Sequence, residues 1–318
     1  MARDKSGRLY HLLKDDVPKG VYFCPTCQGP LCLRSGEKMR PHFAHLTLKD
    51  CYEDYQNESP EHLGLKALLF AHLSQEKSLE IEKPLPSIGQ VADLIVNDKL
   101  VLEIQCSSLS TKRLLDRTKA YRSEGYHVEW LLGKKLWLKD RLSVLQRHFL
   151  QFSPRIGFYL WELDCDKEQL RLRYLIHEKL SGELVYLTKS CFLSEDVMGL
   201  LRFPFQAKRL SSLRVSCLRQ PQAYIRKQLL YKNPKWMRQQ ALAYQQHQNL
   251  LLQPTEFFFP QIKPAQVPYQ TKLNQPEMEH YYQEFTAYYR KQTNKSFQIL
   301  YSPFFYDKIK EKQKRSRL

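Results

Sequence analysis

The sequence predicts an α/β (α+β) protein in three parts. A short module bearing cysteines and histidines covers residues 1–57, a mixed-sheet core covers 58–150, and a small sheet followed by basic, mainly helical segments covers 151–318. Three observations predict this. Between residues 59 and 133 the apolar pattern reads helix, three strands, helix, strand within about 75 residues. Four of the eight cysteines (Cys24, Cys27, Cys32, Cys51) fall in the first 51 residues. The positive charge is gathered at the far end: residues 1–204 hold 30 Lys+Arg against 27 Asp+Glu, a net +3, while residues 205–318 hold 20 against 6, a net +14.

Composition narrows the class. With 42% hydrophobic and 26% charged residues the chain can build packed cores and does not read as disordered. No apolar run approaches the roughly 20 residues that span a bilayer, so membrane insertion is not expected. Met1 to Lys14 carries charged and polar groups without an apolar stretch, which is not a signal peptide, so a cytoplasmic protein with reduced thiols is expected. Cys106, Cys165, Cys191 and Cys217 then read as small buried apolar residues. The basic final third suggests a polyanion partner, because clustered Lys and Arg bind by displacing counterions from phosphates. A solvated basic helical surface is the plainer alternative.

The elements follow in order. Residues 1–20 look like an edge strand and linker, 21–45 like short strands with a knuckle, and 46–58 like an acidic loop. Ser59 can cap a helix, Pro60 fits its first position, Glu61 favours the positive end of its dipole, and Leu65, Leu68, Leu69 and His72 follow at helical spacing. Residues 79–83, 90–96 and 99–107 alternate as strands, the last two joined at Asn97-Asp98, a good hairpin turn. A helix over 110–124 ends at Gly125, and a strand over 126–132 ends at Gly133. Residues 155–193 alternate again as a small sheet, 194–250 look helical, 254–276 form a proline-rich connector, 277–291 a further helix, and the chain closes on a basic tail expected to fray.

Two carboxylates stand out. On the third strand Glu103 and Gln105 share a face in a run otherwise apolar enough to be central, and Asp93 lies between Val91 and Ile95 on the strand before it. A buried carboxylate is costly unless something pairs with it, and a metal ion would. The turn at Asn97-Asp98 brings Asp93 and Glu103 alongside each other. Phosphodiester hydrolysis uses one or two Mg²⁺ ions, which prefer carboxylate oxygens. Asp93 and Glu103 are thus expected to hold Mg²⁺ (or Mn²⁺), helped by the Ile104 carbonyl, with Glu61 an outer or third carboxylate. Gln105 stands where a lysine would polarise the attacking water. Charges facing solvent from edge strands are the alternative.

Ser59-Pro-Glu-His-Leu-x-Leu-Lys66, Ala92-Asp93-Leu, Leu102-Glu-Ile-Gln-Cys-Ser-Ser108, Arg117-Thr-x-x-Tyr121 and Tyr126-x-Val-x-Trp130 together resemble the nuclease domain of the CoiA competence family. The resemblance is strong over residues 59–133 and loose elsewhere. It implies a restriction-endonuclease-like fold of the PD-(D/E)xK superfamily and a role in processing DNA taken up in natural transformation. Gln105 departs from the superfamily's lysine, which puts robust catalysis in question without excluding metal binding. Lys66, Arg113, Arg117 and Tyr121 are the expected substrate contacts. Arg117 and Tyr121 stand one helical turn apart, and the Arg117 fork suits a phosphate. Tyr121 either stacks on a base or packs, and His62 and Lys66 also read as helix-surface residues.

Cys24-Pro-Thr-Cys27 is a knuckle that sets two thiolates on one Zn²⁺. Fourteen intervening residues lead to His42-Phe-Ala-His45, whose two-residue gap is shorter than the usual three to five. The resemblance includes this pairing, so Cys24, Cys27, His42 and His45 are expected to hold a structural zinc. Cys32 or Cys51 as a substitute ligand, or no metal, remain open. Two functions follow: a Mg²⁺-dependent deoxyribonuclease, or a non-catalytic DNA-binding or recombination-mediator protein on a nuclease fold. Single-stranded DNA and recombination proteins are the expected partners, with stretches such as Tyr224–Trp236 and Tyr281–Arg290 suited to stacking unless their aromatics are core.

Overall fold

A computed structural model describes the chain except residues 13–14, 26, 37–38, 48–58, 77, 269–275 and 316–318. The chain forms two compact units that interleave in sequence: residues 1–137, 161–170 and 191–197 make the first, and 138–160, 171–190 and 198–318 the second.

The first unit opens with a small antiparallel sheet of β1 (Ala2–Arg3), β2 (Leu9–Tyr10), β3 (Tyr22–Phe23), β4 (Pro30–Gly36) and β5 (Met39–His45), in the order β2-β1-β3-β4-β5. Its core is Ala2, Tyr10, Tyr22, Cys24 and Leu31, with Phe43 packed alongside. So few apolar groups make a thin core, the usual reason a small module is stapled by metal or disulfide.

Next comes α1 (Pro60–His72). The Ser59 hydroxyl accepts the His62 N–H at 3.2 Å, the cap its sequence signals. Strands β6 (Leu79–Leu85), β7 (Gln90–Val96) and β8 (Leu100–Gln105) form an antiparallel meander. Asn97 and Asp98 both adopt positive φ (51° and 57°) in the turn of residues 97–99, where the Lys99 N–H returns to the Val96 carbonyl at 3.4 Å. Helix α2 (Thr111–Ser123) then crosses over to β9 (His127–Leu132), parallel to β8. Trp161 and Glu162 of β11 (Gly157–Asp164) continue the sheet in parallel beyond β9, opposite Leu131 and Leu132. Helix α1 packs on β7 and β8, and α2 on β9. The meander is one side of a mixed sheet, and the parallel crossover the other.

The second unit holds α3 (Val144–Phe149), β10 (Gln151–Ser153) paired with the start of β11, and most of β12 (Gln169–Glu178) and β13 (Leu184–Phe192). It continues through α4 (Val197–Gln206), β14 (Ser212–Ser216), α5 (Pro221–Leu230), α6 (Pro234–Gln245), β15 (Lys263–Pro264), α7 (Pro276–Arg290), β16 (Phe297–Tyr301) and α8 (Pro303–Arg315). Three features depart from the sequence reading. β14 interrupts the stretch read as helical and pairs with β16. β15 inside the proline-rich connector pairs with β12, His177 opposite Pro264 and Glu178 opposite Lys263. The basic tail continues helix α8 to Arg315 where fraying was expected.

The aromatics of this unit are core. Phe152, Phe158, Tyr281, Phe285, Tyr289 and Tyr306 form one cluster, with Phe285 and Tyr289 ring centroids 4.6 Å apart. Trp236 is buried with Ile225 and Leu250. Tyr281, Tyr289 and Trp236 are therefore closed to base stacking, and of the two readings of these stretches they take the core one. No helix among the described residues is long and apolar enough to cross a membrane.

Candidate functional site

The hairpin register decides where the two carboxylates stand. Leu94 pairs with Leu102, Ile95 with Val101 and Val96 with Leu100, so continuing the ladder sets Asp93 opposite Glu103 on the same face. Both lie deep: the Glu103 side chain is 1% exposed and Asp93 13%.

Each carboxylate has its own partners. Asp93 Oδ2 accepts the Ile104 backbone N–H at 2.8 Å and faces His62 Nε2 at 3.1 Å, while its Oδ1 lies 4.0 Å from Lys66 Nζ. Glu103 Oε2 accepts from Arg117 at 2.6 Å, and its Oε1 from the Tyr121 hydroxyl at 2.5 Å. The Arg117 and Tyr121 groups also reach the Val91 carbonyl, and the Arg117 guanidinium lies 5.6 Å from the centre of the Trp130 ring. The helix spacing that puts Arg117 and Tyr121 one turn apart thus aims both at one acid.

The partners drive the two acids apart. Burial pushes Glu103 up, to about 7, and Asp93 beside it adds to the rise against the pull of Arg117 and Tyr121. At Asp93 burial works in the same upward direction, but His62, with Lys66 and Arg117, overcomes it and holds the carboxyl well below the usual range. Buried like charges cannot both ionise freely, and here the difference in cation supply decides which one does.

A third acid joins the row. Glu82 on β6 falls between the β6–β7 pairs Ile81–Leu94 and Lys83–Ala92, beside Asp93, and its φ is +48°, a left-handed conformation inside a strand. Its carboxylate binds Lys66 Nζ at 2.7 Å, the Met1 amino group at 2.9 Å and His11 at 3.2 Å. Burial raises it, but His11, Lys66 and the amino terminus hold it far below its ordinary value. A non-glycine residue in that region costs on the order of 1–3 kcal/mol. The sequence reading missed Glu82; the signal was its alternation with Ile81, which sets it on the face opposite the core.

Several expected roles need correction. Glu61 does not join the acid pair: its Oε1 accepts the Lys134 N–H at 2.8 Å, at the end of β9. Gly133 allows that approach, since a Cβ there would lie 2.9 Å from Glu61 Oε1 and 2.7 Å from Cys106 Sγ. Lys66, expected at the substrate, is 1% exposed and tied to Glu82, because the stripe α1 buries is Gly64, Leu65, Lys66 and Leu69. Tyr121 is 0% exposed, so it packs and holds Glu103, and no base can stack on it. Gln105 is buried, with Nε2 donating to the Ser107 carbonyl at 2.9 Å. Arg113 stands in the first turn of α2, its N–H donated to the Ser110 cap at 3.2 Å.

In the front module the knuckle closes with Cys24 N–H on the Gly29 carbonyl at 2.8 Å and Gln28 N–H on the Cys24 carbonyl at 2.9 Å. Cys24, Cys27 and His45 offer ligand atoms all within 4.8 Å of one another, and the Gly29 N–H points at Cys27 Sγ from 3.4 Å. Two thiolates and an imidazole are the donors zinc selects. His42 is outside that set, a correction with a simple cause. β5 is a strand, so residues three apart face opposite sides, and His42 pairs with Arg34 while His45 pairs with Leu31. Cys32 directs its thiol to the Ala44 carbonyl, and Cys51 lies outside the described residues.

Two family profiles match the chain: "Competence protein CoiA, nuclease-like domain" over residues 58–196, and "Competence protein CoiA, N-terminal domain" over 11–53. Competence protein CoiA of Bacillus subtilis (strain 168) is 31% identical over 159 residues, which cover 46% of this chain and 43% of that protein. The match thus spans less than half of the relative's length. No solved structure matches the chain.

Proposed function

The chain belongs to the CoiA family of competence proteins, and from that premise we propose that it processes incoming DNA in natural transformation and recombination as a divalent-metal-dependent deoxyribonuclease. The observation that carries this is the row of acids on one sheet face, with Asp93 opposite Glu103. The donor set fits Mg²⁺ or Mn²⁺, which take carboxylate oxygens from a few side chains and keep several waters. Asp93 Oδ1, 4.0 Å from Lys66 Nζ, and Glu103 are the groups that would hold the ion. Once bound, it would stabilise charge on a phosphodiester and acidify water.

The chain's own residues do the rest. Gln105 cannot supply a positive charge, whereas Lys66 Nζ, 4.0 Å from Asp93 Oδ1, can, and Glu82 holds it in place. Arg117, 19% exposed, keeps Glu103 ionisable and is the cation from which a phosphate would draw a hydrogen bond. Cys24, Cys27 and His45 would hold Zn²⁺ as a staple of the front module. Its role there is structural, since Cys24 and Cys27 pack in the module's thin core.

A second reading has an observation of its own. Glu103 has a protein donor on each oxygen, and Glu82 and Asp93 also face cations, so the row is balanced without an ion. That favours a DNA-binding or recombination-mediator protein keeping the nuclease fold as a platform. One assay separates the two. Purified protein is incubated with labelled single- and double-stranded DNA in Mg²⁺, Mn²⁺ or EDTA, beside Asp93→Ala and Glu103→Ala. Metal-dependent cutting lost in both variants is expected; binding without cutting, unchanged in both, supports the platform.

A further inference from the structure

We propose that the turn joining β12 to β13 is the floor of a phosphate-binding cradle for a nucleic-acid backbone, walled by Arg141, Lys235 and Lys263. The proposal rests on the reading of this protein as one that handles nucleic acid, and it concerns residues of the second unit alone.

The geometry starts from Glu178, the last residue of β12. Arg147 grips it with two hydrogen bonds, 2.8 Å to Oε2 and 2.6 Å to Oε1, and the Gln266 N–H adds a third at 3.2 Å. Both oxygens are therefore taken. Glu183 is occupied by Lys179 at 2.9 Å. Around these acids stand three more cations. Lys263 is the register partner of Glu178 across β12 and β15. Lys235 Nζ lies 3.5 Å from the Leu180 carbonyl. The Arg141 guanidinium carbon lies 3.9 Å from where a Cβ on Gly182 would be, which places it against the turn. The Leu184 N–H binds the Asp140 carbonyl at 2.8 Å, which ties the Arg141 segment to the same turn. Among the described residues none of Arg141, Lys235 and Lys263 makes an ion pair within 4.0 Å.

Three unpaired cations beside a saturated carboxylate is an arrangement that folding alone does not reward. Lys235 also sits in the first turn of α6, behind Asn233 and Pro234, where the helix dipole disfavours positive charge and favours an anion. Burial holds the Lys235 ammonium below its usual range; repulsion from Lys263, Arg141 and Arg147 adds to the fall, and Glu178 opposes it. Burial likewise lowers Lys263. All three side chains remain open to solvent. A phosphate set among them would take Arg141 through its planar fork and the two lysines as point charges, relieving the repulsion.

The test uses the full chain in EDTA, so metal-dependent cutting plays no part. A labelled single-stranded DNA oligonucleotide is titrated over a range of KCl with wild type, Arg141→Ala, Lys235→Ala, Lys263→Ala and the triple variant. Each single change should weaken binding several-fold and lower the slope of log affinity against log salt by about 0.7; the triple change should lower it by about 2. These are exposed residues, so equal thermal unfolding is expected, and Lys235→Glu should weaken binding further than Lys235→Ala. Wild-type affinity and slope in the triple variant would overturn the cradle, as would no oligonucleotide binding by wild type. Inorganic phosphate bound in calorimetry and lost in the triple variant, with oligonucleotide binding unchanged, would overturn the commitment to nucleic acid. Anionic phosphatidylglycerol vesicles bound with the same three-residue dependence, and no oligonucleotide, would do so too. Salt-sensitive binding without cutting in Mg²⁺ keeps the cradle and removes only the nuclease reading.

Discussion

The acid row of the first unit and the cation cluster of the second solve opposite problems. In the row, Glu82, Asp93 and Glu103 are buried or nearly so and each faces positive groups within hydrogen-bond reach. In the cluster, Arg141, Lys235 and Lys263 are exposed, and the acid of that turn, Glu178, is already filled by Arg147. Buried charge must be paired for the chain to fold, whereas exposed charge can stay unpaired and wait for a ligand. The comparison teaches where to look for stability and where for binding: substitutions in the row should cost stability, and substitutions in the cluster should leave it unchanged.

The largest effect should come from Glu103→Ala. It strands the Arg117 guanidinium and the Tyr121 hydroxyl against an apolar sheet, and urea unfolding should show a loss of about 3–5 kcal/mol. A loss as small as that of an exposed residue would erase the contrast. Cys24→Ser comes next: metal analysis should find zinc in wild type and little in the variant, with a lower melting temperature. Zinc retained in full would reassign the ligands. Gly133→Ala drives a Cβ to within 2.7 Å of Cys106 Sγ and should cost about 1–3 kcal/mol while displacing Glu61 from the Lys134 N–H.

The pH dependence sharpens the comparison further. Glu103 is raised to about 7, so the folded state binds a proton there more tightly than the unfolded chain does. Its contribution is complete below the unfolded carboxyl pKa and is lost as pH climbs through about 7, by up to about 1.4 kcal/mol per pH unit. Asp93 and Glu82 are lowered, so theirs is present above the unfolded pKa and fades as pH falls through the folded one. Urea midpoints of metal-free protein should therefore drop between about pH 5 and pH 7. A flat profile would mean Glu103 stays ionised throughout. The smallest effect belongs to the cluster, where Lys235→Ala should change stability by about 0.5 kcal/mol or less.

What the sequence allowed to be read follows the same physics. Asp93 and Glu103 were legible because carboxylates are conspicuous in apolar strands and Asn97-Asp98 fixes the register that faces them. The cap Ser59 was legible because capping is local. Glu82 was not, because a charge alternating with Ile81 reads as a solvent-facing strand residue until Lys66, His11 and the amino terminus are seen around it. Lys66 was misplaced because a lysine on a helix reads as surface until its acid partner, 16 residues away, is known. His42 was misplaced because a two-residue gap says nothing until the segment is known to be a strand. β14 and β16 escaped because each is short and its partner lies some 80 residues off. The charge cluster was visible only as a net excess, since its members come from segments 141, 235 and 263.

The central claim is that Asp93 and Glu103 grip one divalent cation. Calorimetric titration of Mn²⁺ into metal-free wild type, Asp93→Asn and Glu103→Gln, with folding checked by circular dichroism, tests it most directly. The account predicts a single saturable site in wild type that both folded variants lose. Wild type taking up no Mn²⁺, or both variants taking it up with unchanged affinity, would contradict it.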